Sequence, residues 1–185
     1  MGDPKKPKKK YETPRHPWIK EDIEIEKKIL NEYGLKNKRE VWKNKSKLRK
    51  FKELSKKYTG IDTNKAKEDT NDFLDKLKRE GILKQNQGID EVLGLELKDI
   101  LDRRLQTLVY KKKLASSMKQ ARQFIVHNHI NVNGKKVNIP GYLVQKDEED
   151  TIGFNLKSNL HSDENLERIN IANKKVKKIK NDQKK

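Results

Sequence analysis

The chain has 185 residues, 31% of them hydrophobic and 40% charged, with 46 Lys and Arg against 28 Asp and Glu for a formal net charge of +18. Such a length holds one domain or two small ones, not a large catalytic domain with an appendage, and so small an apolar share leaves long segments unable to offset their ordering entropy alone. The positive excess asks for a polyanion, nucleic acid being the obvious one, and the absence of cysteine removes disulfides, thiolate nucleophiles and cysteine-based zinc or iron-sulfur sites.

The first twenty residues hold Lys5, Lys6, Lys8, Lys9, Lys10 and Arg15 among four prolines, so an extended basic arm is expected. Its Tyr11 and Trp18 either stack on bases or pack the arm back onto the globular part. From Ile19 to Tyr33, Ile23, Ile25, Ile29 and Leu30 recur partly at helical spacing, and Gly34 is a natural stop. A second helix is expected over residues 38–58, where Val41, Trp42, Leu48, Phe51, Leu54 and Tyr58 form a stripe before Gly60 and lysines fill the other faces. Asp62 and Thr63 can cap a third helix that turns Phe73, Leu74 and Leu77 inward and stops at Gly81. Leu83, Ile89, Val92, Leu93 and Leu95 read as an apolar connection with turns at Gly88 and Gly94.

The periodicity then changes from helical to alternating within about forty residues. Leu97, Leu101, Leu105, Leu108 and Val109 define one helix face, with Arg103, Arg104, Lys111, Lys112 and Lys113 supplying charge around and after it. Ser117 and Gln120 have the spacing of a capping box and open a helix whose Ala121, Phe124 and Ile125 point inward, leaving Lys119, Gln120, Arg122 and Gln123 toward solvent or ligand. Asn128, between His127 and His129, suits a left-handed stop. Ile130 and Val132, Asn133-Gly134, then Val137 and Ile139 describe a hairpin on a turn that needs positive φ at both central residues. Pro140 and Gly141 bend the chain before a strand over 142–144, and a last strand is expected over 151–154. From Asn173 onward lysines dominate, making a basic extension with too few apolar residues for a core.

No glycine-rich phosphate loop, nucleophile elbow or H-E-x-x-H sequence occurs, so no enzyme, catalytic residue, cofactor or metal is expected. Two histidines at i and i+2 without a supporting cluster are a weak metal signal, and the run Asp147 to Asp150 reads as a solvated turn. No apolar run approaches the roughly 20 residues that cross a bilayer, nor does the N-terminus carry a secretory stretch, so a cytoplasmic protein without membrane contact is expected. The positive constellation differs in kind. A helix N-terminus at Ser117 aims free N–H groups at anions, with Arg104, Lys113, Lys119, Arg122 and Gln123 nearby, a set suited to reading a folded RNA backbone by shape. Any one of these lysines could simply cover a solvent face; the cluster as a whole is not explained so.

In these residues, RRLQTLVYKKKLASSMKQARQFIVHNHINVNGKKVNIPGYLV, the chain resembles the S-four RNA-binding domain. Its opening, MGDPKKPKKKYETPRHPWIKEDIEIEKKIL and then EYGLKNKREVWKNKSKLRKF, is similar to the N-terminal region of the ribosomal S-four family in its archaeal and eukaryotic form. The resemblance implies an α+β fold: an extended arm over 1–20, a helical region over 21–96, an S-four-type α/β-hairpin domain over 97–160 and a basic extension over 161–185. It implies a ribosomal location, with binding to small-subunit ribosomal RNA at a multihelix junction of the 5′ domain, early assembly, decoding fidelity, and the neighbours S-three and S-five rather than a homo-oligomer. A free RNA chaperone or regulator using the same domain is the alternative. The RNA-facing set expected on this basis is Arg103, Arg104, Lys111, Lys113, Ser116, Ser117, Lys119, Gln120, Arg122, Gln123, His127, His129, Asn131, Asn133, Lys135 and Lys136. The family usually has Arg where Lys111 stands, Gly where Lys113 or Asn128 stands and Ser where Gly141 stands, and some bacterial members carry N-terminal zinc cysteines that are absent here.

Overall fold

A computed structural model describes Gly2, residues 9–60 and residues 63–162. Lys5, Lys6 and Lys8, the cap candidate Asp62 and the lysine-rich tail lie outside the described residues. The fold is α+β, mostly helical with one small antiparallel sheet.

Three helices open it: α1 (Lys20–Glu32), α2 (Lys38–Thr59) and α3 (Asn64–Arg79). The Asn37 carboxamide accepts from the Glu40 amide at the start of α2, and the Thr63 hydroxyl accepts from the Ala66 amide at the start of α3, so each cap satisfies an amide that the helix leaves unbonded. The stripe on α2 and the inward face of α3 meet through Phe51 and Phe73, whose rings pack edge-on with centroids 6.1 Å apart. Leu77, Ile82, Leu83, Val92, Leu95 and Ile100 complete that core.

The apolar connection expected at 83–95 is in part a helix, α4 (Ile89–Gly94), because the Glu91 carboxylate accepts from the Gly88 amide and the fully buried Ser55 hydroxyl donates to the Ile89 carbonyl. The single helix face expected over 97–109 is likewise divided, into α5 (Leu97–Asp102) and α6 (Leu105–Lys111). Between them Arg104 is extended and bridges Leu143, with the Leu105 amide bonded to the Tyr142 carbonyl and the Val144 amide to the Arg103 carbonyl. Residues 142–144 thus form no strand of the sheet; their pairing is with this interhelical link.

A second core holds Leu105, Leu108 and Val109 of α6 and Ala121, Phe124 and Ile125 of α7 (Met118–Val126), roofed by β1 (Ile130–Val132), β2 (Lys135–Lys136) and β3 (Gly153–Phe154) in the order β2-β1-β3. Ile130 and Val132 point into it and Asn131 away, as the period of two requires. Asn133 and Gly134 take φ of 50° and 73°, the turn expected from their sequence. Val137 packs on this core, but Ile139 is exposed beyond the end of β2, so the expected hairpin is shorter than its apolar alternation.

Asn128 is left-handed at φ 61°, as expected, and so is Lys113 at φ 60°. An L-residue with a long side chain loses roughly 1–2 kcal/mol in that region. Lys113→Gly is therefore expected to raise the unfolding free energy by about 1 kcal/mol in urea denaturation, at the cost of one positive charge. No gain would mean that Lys113 makes a compensating contact.

Candidate nucleic-acid interface

The charged groups of the second core and its borders fall into two classes, those paired inside the chain and those turned outward. Arg104 heads the first. It is only 3% exposed, and its guanidinium donates to Glu40 of α2 at 2.6 Å while its Nε has no partner. Arg122 of α7 grips the same carboxylate at 2.7 and 3.3 Å and reaches the Gln106 carbonyl oxygen at 3.3 Å. Burial by itself would raise the Glu40 carboxyl, but the hydrogen bonds and charges of Arg122 and Arg104 outweigh it and hold it below the ordinary carboxylate range. The carboxylate also sits in the first turn of α2, where the helix dipole favours it.

Gln106, buried on α6, extends this junction. Its amide nitrogen donates to the carbonyls of Tyr33, Gly34 and Met118 at 2.9–3.1 Å. Gly34 has a φ of +57°, and a Cβ there would stand 2.8 Å from that of Met118. Gly34→Ala is expected to cost at least about 2 kcal/mol, from left-handed strain and the clash together. A melting temperature unchanged within a degree would refute the close packing. Nearby, burial first and the Asp102 carboxylate second push the Tyr33 phenol upward, consistent with its hydroxyl donating to Asp102 at 3.2 Å.

Arg103 is spent in the same way. It donates to the Glu80 carbonyl at 3.0 Å, to the Val144 carbonyl at 3.1 Å and to Glu149 at 2.7 Å. Lys111 pairs with Asp102 at 2.6 Å at the surface. Gln120 does not complete a box with Ser117: its side-chain oxygen accepts from the amide and hydroxyl of Ser116, while the Ser117 hydroxyl accepts from the Gln120 amide. Of the four α7 residues expected toward solvent or ligand, Arg122 and Gln120 are thus engaged within the chain, and Lys119 and Gln123 are exposed.

The outward class begins at Lys113 in the link before α7, continues with Ser117 at its N-cap, and runs along the helix as Lys119, Gln123 and His127, spaced by four residues on the face opposite Ala121, Phe124 and Ile125. Asn133, Lys135 and Lys136 are exposed on the hairpin. His129 is half-buried between the Phe124 ring and the Ser158 hydroxyl, 2.7 Å from its Nδ1, with the His127 ring stacked at 6.3 Å. Asn131 lies outward from β1 beside Asn155. These groups offer ammonium charges, hydroxyl and amide donors and the uncapped amides of a helix start, which together suit a phosphate backbone.

In the arm, Tyr11 packs back, stacked on Trp42 with centroids 6.2 Å apart; the Glu12 amide donates to Ser46 and its carboxylate pairs with Arg49 at 2.6 Å. Trp18 is 88% exposed. Glu40 and Gln106, the two residues on which the junction turns, escaped the sequence reading: Glu40 looks like any first-turn acid, and the one available signal for Gln106 is an amide on the apolar side of a helix.

Among the described residues no helix is long and apolar enough to cross a membrane, and no group of three or more His, Cys, Asp or Glu could hold a metal ion. The family model for the S4 domain matches residues 103–152. The chain is 46% identical to the small ribosomal subunit protein uS4 of Methanosphaera stadtmanae over 83% of its length and 85% of that protein. It is 47% identical to the protein of that name from Methanococcus aeolicus over 91% of its length and 96% of the relative, and 44% identical to that of Ignicoccus hospitalis over 83% and 93%.

Proposed function

The chain belongs to the family of small ribosomal subunit protein uS4, and from that membership we propose that it is a structural constituent of the small subunit, binding ribosomal RNA at a multihelix junction of the 5′ domain. The observation that supports this reading is the separation of charges in the S4 module. The arginines next to the core are paired with Glu40 and Glu149, so they build the frame, while Lys113, Lys119, Lys135 and Lys136 remain outward without a carboxylate partner among the described residues. Such a surface binds by releasing counterions from phosphates and discriminates by shape, with no need to read bases.

The RNA-facing set is accordingly Lys113, Ser117, Lys119, Gln123, His127, Asn133, Lys135 and Lys136, with Lys111, Ser116, His129 and Asn131 at its margins. Arg103, Arg104, Gln120 and Arg122 act through the frame that presents it. Binding early in subunit assembly and influencing accuracy would follow from holding several RNA helices in one geometry, and neighbours such as S-three and S-five would then meet this chain at its RNA-free faces. The protein has no catalytic part in this reading.

Sedimentation of cell lysate tests it: the chain is expected to comigrate with small subunits through a sucrose gradient, and a slow-sedimenting free pool with no subunit-bound fraction would favour an RNA chaperone or regulator instead.

A further inference from the structure

Alone among the seven helices of the described residues, α1 has no buried residue. Its inward side rests on α2, where Glu26 accepts from the Trp42 indole at 2.7 Å and pairs with Lys38 at 3.1 Å. The opposite side is bare and differs in character from the remainder of the chain. Trp18 is 88% exposed, Ile19 44% and Ile25 54%; within α1, spacings of three and four residues put Glu21 and Asp22 beside Ile25, with Glu24 next to them, and Trp18 stands just before the extended N-cap Ile19 at the same end of the helix. This side holds the three acids Glu21, Asp22 and Glu24 in its first turns, with Lys28 one turn beyond Glu24, in a chain with a net charge of +18. Glu21, Asp22 and Glu24 have no ion pair among the described residues. A favourable helix dipole accounts for acids in the first turn, but leaves Trp18 and Ile25 unexplained, since large apolar side chains held in water are a cost.

A phosphate backbone would be repelled from this strip, and two copies of it would repel one another. We propose that the exposed face of α1 with Trp18 is a docking surface for a basic segment of another protein, a run of Lys and Arg that meets Glu21, Asp22 and Glu24 and carries an aliphatic anchor for Trp18 and Ile25. The indole supplies a broad apolar face that also attracts cations, and the carboxylates steer the segment in and set its register.

The test uses the full chain and a dye-labelled twelve-residue peptide of Lys and Arg with two Leu anchors, followed by fluorescence anisotropy in moderate salt. The triple variant Glu21→Lys, Asp22→Lys, Glu24→Lys is expected to weaken binding by at least about tenfold, and Trp18→Ala by roughly tenfold, as for an aromatic hot spot. Because the triple change could fray the start of α1, Glu24→Lys alone is measured beside it and is expected to weaken binding about threefold with circular dichroism unchanged. The control Asp69→Lys, Asp72→Lys, Asp75→Lys makes the same charge change on the exposed side of α3. Equal weakening there would reduce the effect to bulk charge and overturn the proposal. So would undiminished binding in Trp18→Ala, or zero-length crosslinks in the peptide-free chain from Glu21 or Glu24 to its own Lys174–Lys185 or to a second copy. These readouts do not involve the ribosome, so their failure is distinct from a failure to sediment with subunits.

Discussion

Glu40→Ala is expected to lower the unfolding free energy by at least about 3 kcal/mol, a larger loss than any other single change at the surface of α2 should cause. The substitution strands Arg104, which is 3% exposed and has an unpartnered Nε already, and removes the carboxylate shared with Arg122. Breaking a buried ion pair from one side typically costs about 3–5 kcal/mol, most of it the penalty of a charge left dry. Urea denaturation measures it, and a loss under about 1 kcal/mol would show that Arg104 finds water instead. The pH dependence has a defined sign. Because the Glu40 carboxyl sits below its ordinary value in the folded chain, the unfolded chain binds the proton first. Stability from this group is complete above the ordinary carboxylate range and is lost as pH falls through the depressed folded value. Glu40→Gln should flatten that acid limb of the stability curve.

The second large effect concerns affinity. The combined change Lys113→Glu, Lys119→Glu, Lys136→Glu touches three exposed lysines that make no ion pair among the described residues. If each meets a phosphate, affinity for a fragment of the ribosomal RNA junction should fall by about 10²–10³-fold, and the slope of log affinity against log salt should shrink by about three. Filter binding across a KCl series reads both quantities, and circular dichroism checks that the fold survives. A loss smaller than about threefold with an unchanged slope would move the RNA interface off this surface. Charge reversal at Arg104 and Arg122 makes the informative contrast: it sets carboxylates against Glu40, so it should unfold the junction before it reports on RNA.

That contrast also marks how much was legible in the sequence. The helices over 20–32, 38–59 and 64–79, the inward face of α7, the left-handed Asn128 and the Asn133-Gly134 turn all follow from local periodicity, caps and backbone preferences, and the structure has them. The break between α5 and α6 was invisible because the apolar spacing runs straight through it; what divides the helix is a bridge to Leu143, about forty residues away. Arg103 and Arg104 illustrate the same limit at the candidate site. A paired arginine in a basic stretch looks like an RNA contact, and only the placement of Glu40, Glu149 and two carbonyls reveals that both side chains are consumed inside. Lys119 and Gln123 needed no such information, since their exposure follows from the helical period of α7; the adjacent hairpin lysines Lys135 and Lys136 are both exposed, which a strand period of two alone would not give.

The extended link at Arg103 and Arg104 bears on the order in which the molecule is completed during its own synthesis. The buried residues of the first core all lie between Phe51 and Ile100, so nearly all of it can close on a nascent chain as soon as α5 has emerged, with Leu143 packing on later. The second cannot, because Leu105 awaits the carbonyl of Tyr142, Arg103 awaits Val144 and Glu149, and Ile130 awaits its strand partner Phe154. Contacts so distant along the chain form slowly and only once the later residues are free. Vectorial folding would therefore deliver a helical half with Tyr11 and Glu12 already laid on α2 while the half that carries Lys113, Lys119, Lys135 and Lys136 is still unclosed, a staging in which the two halves become available to any partner one after the other.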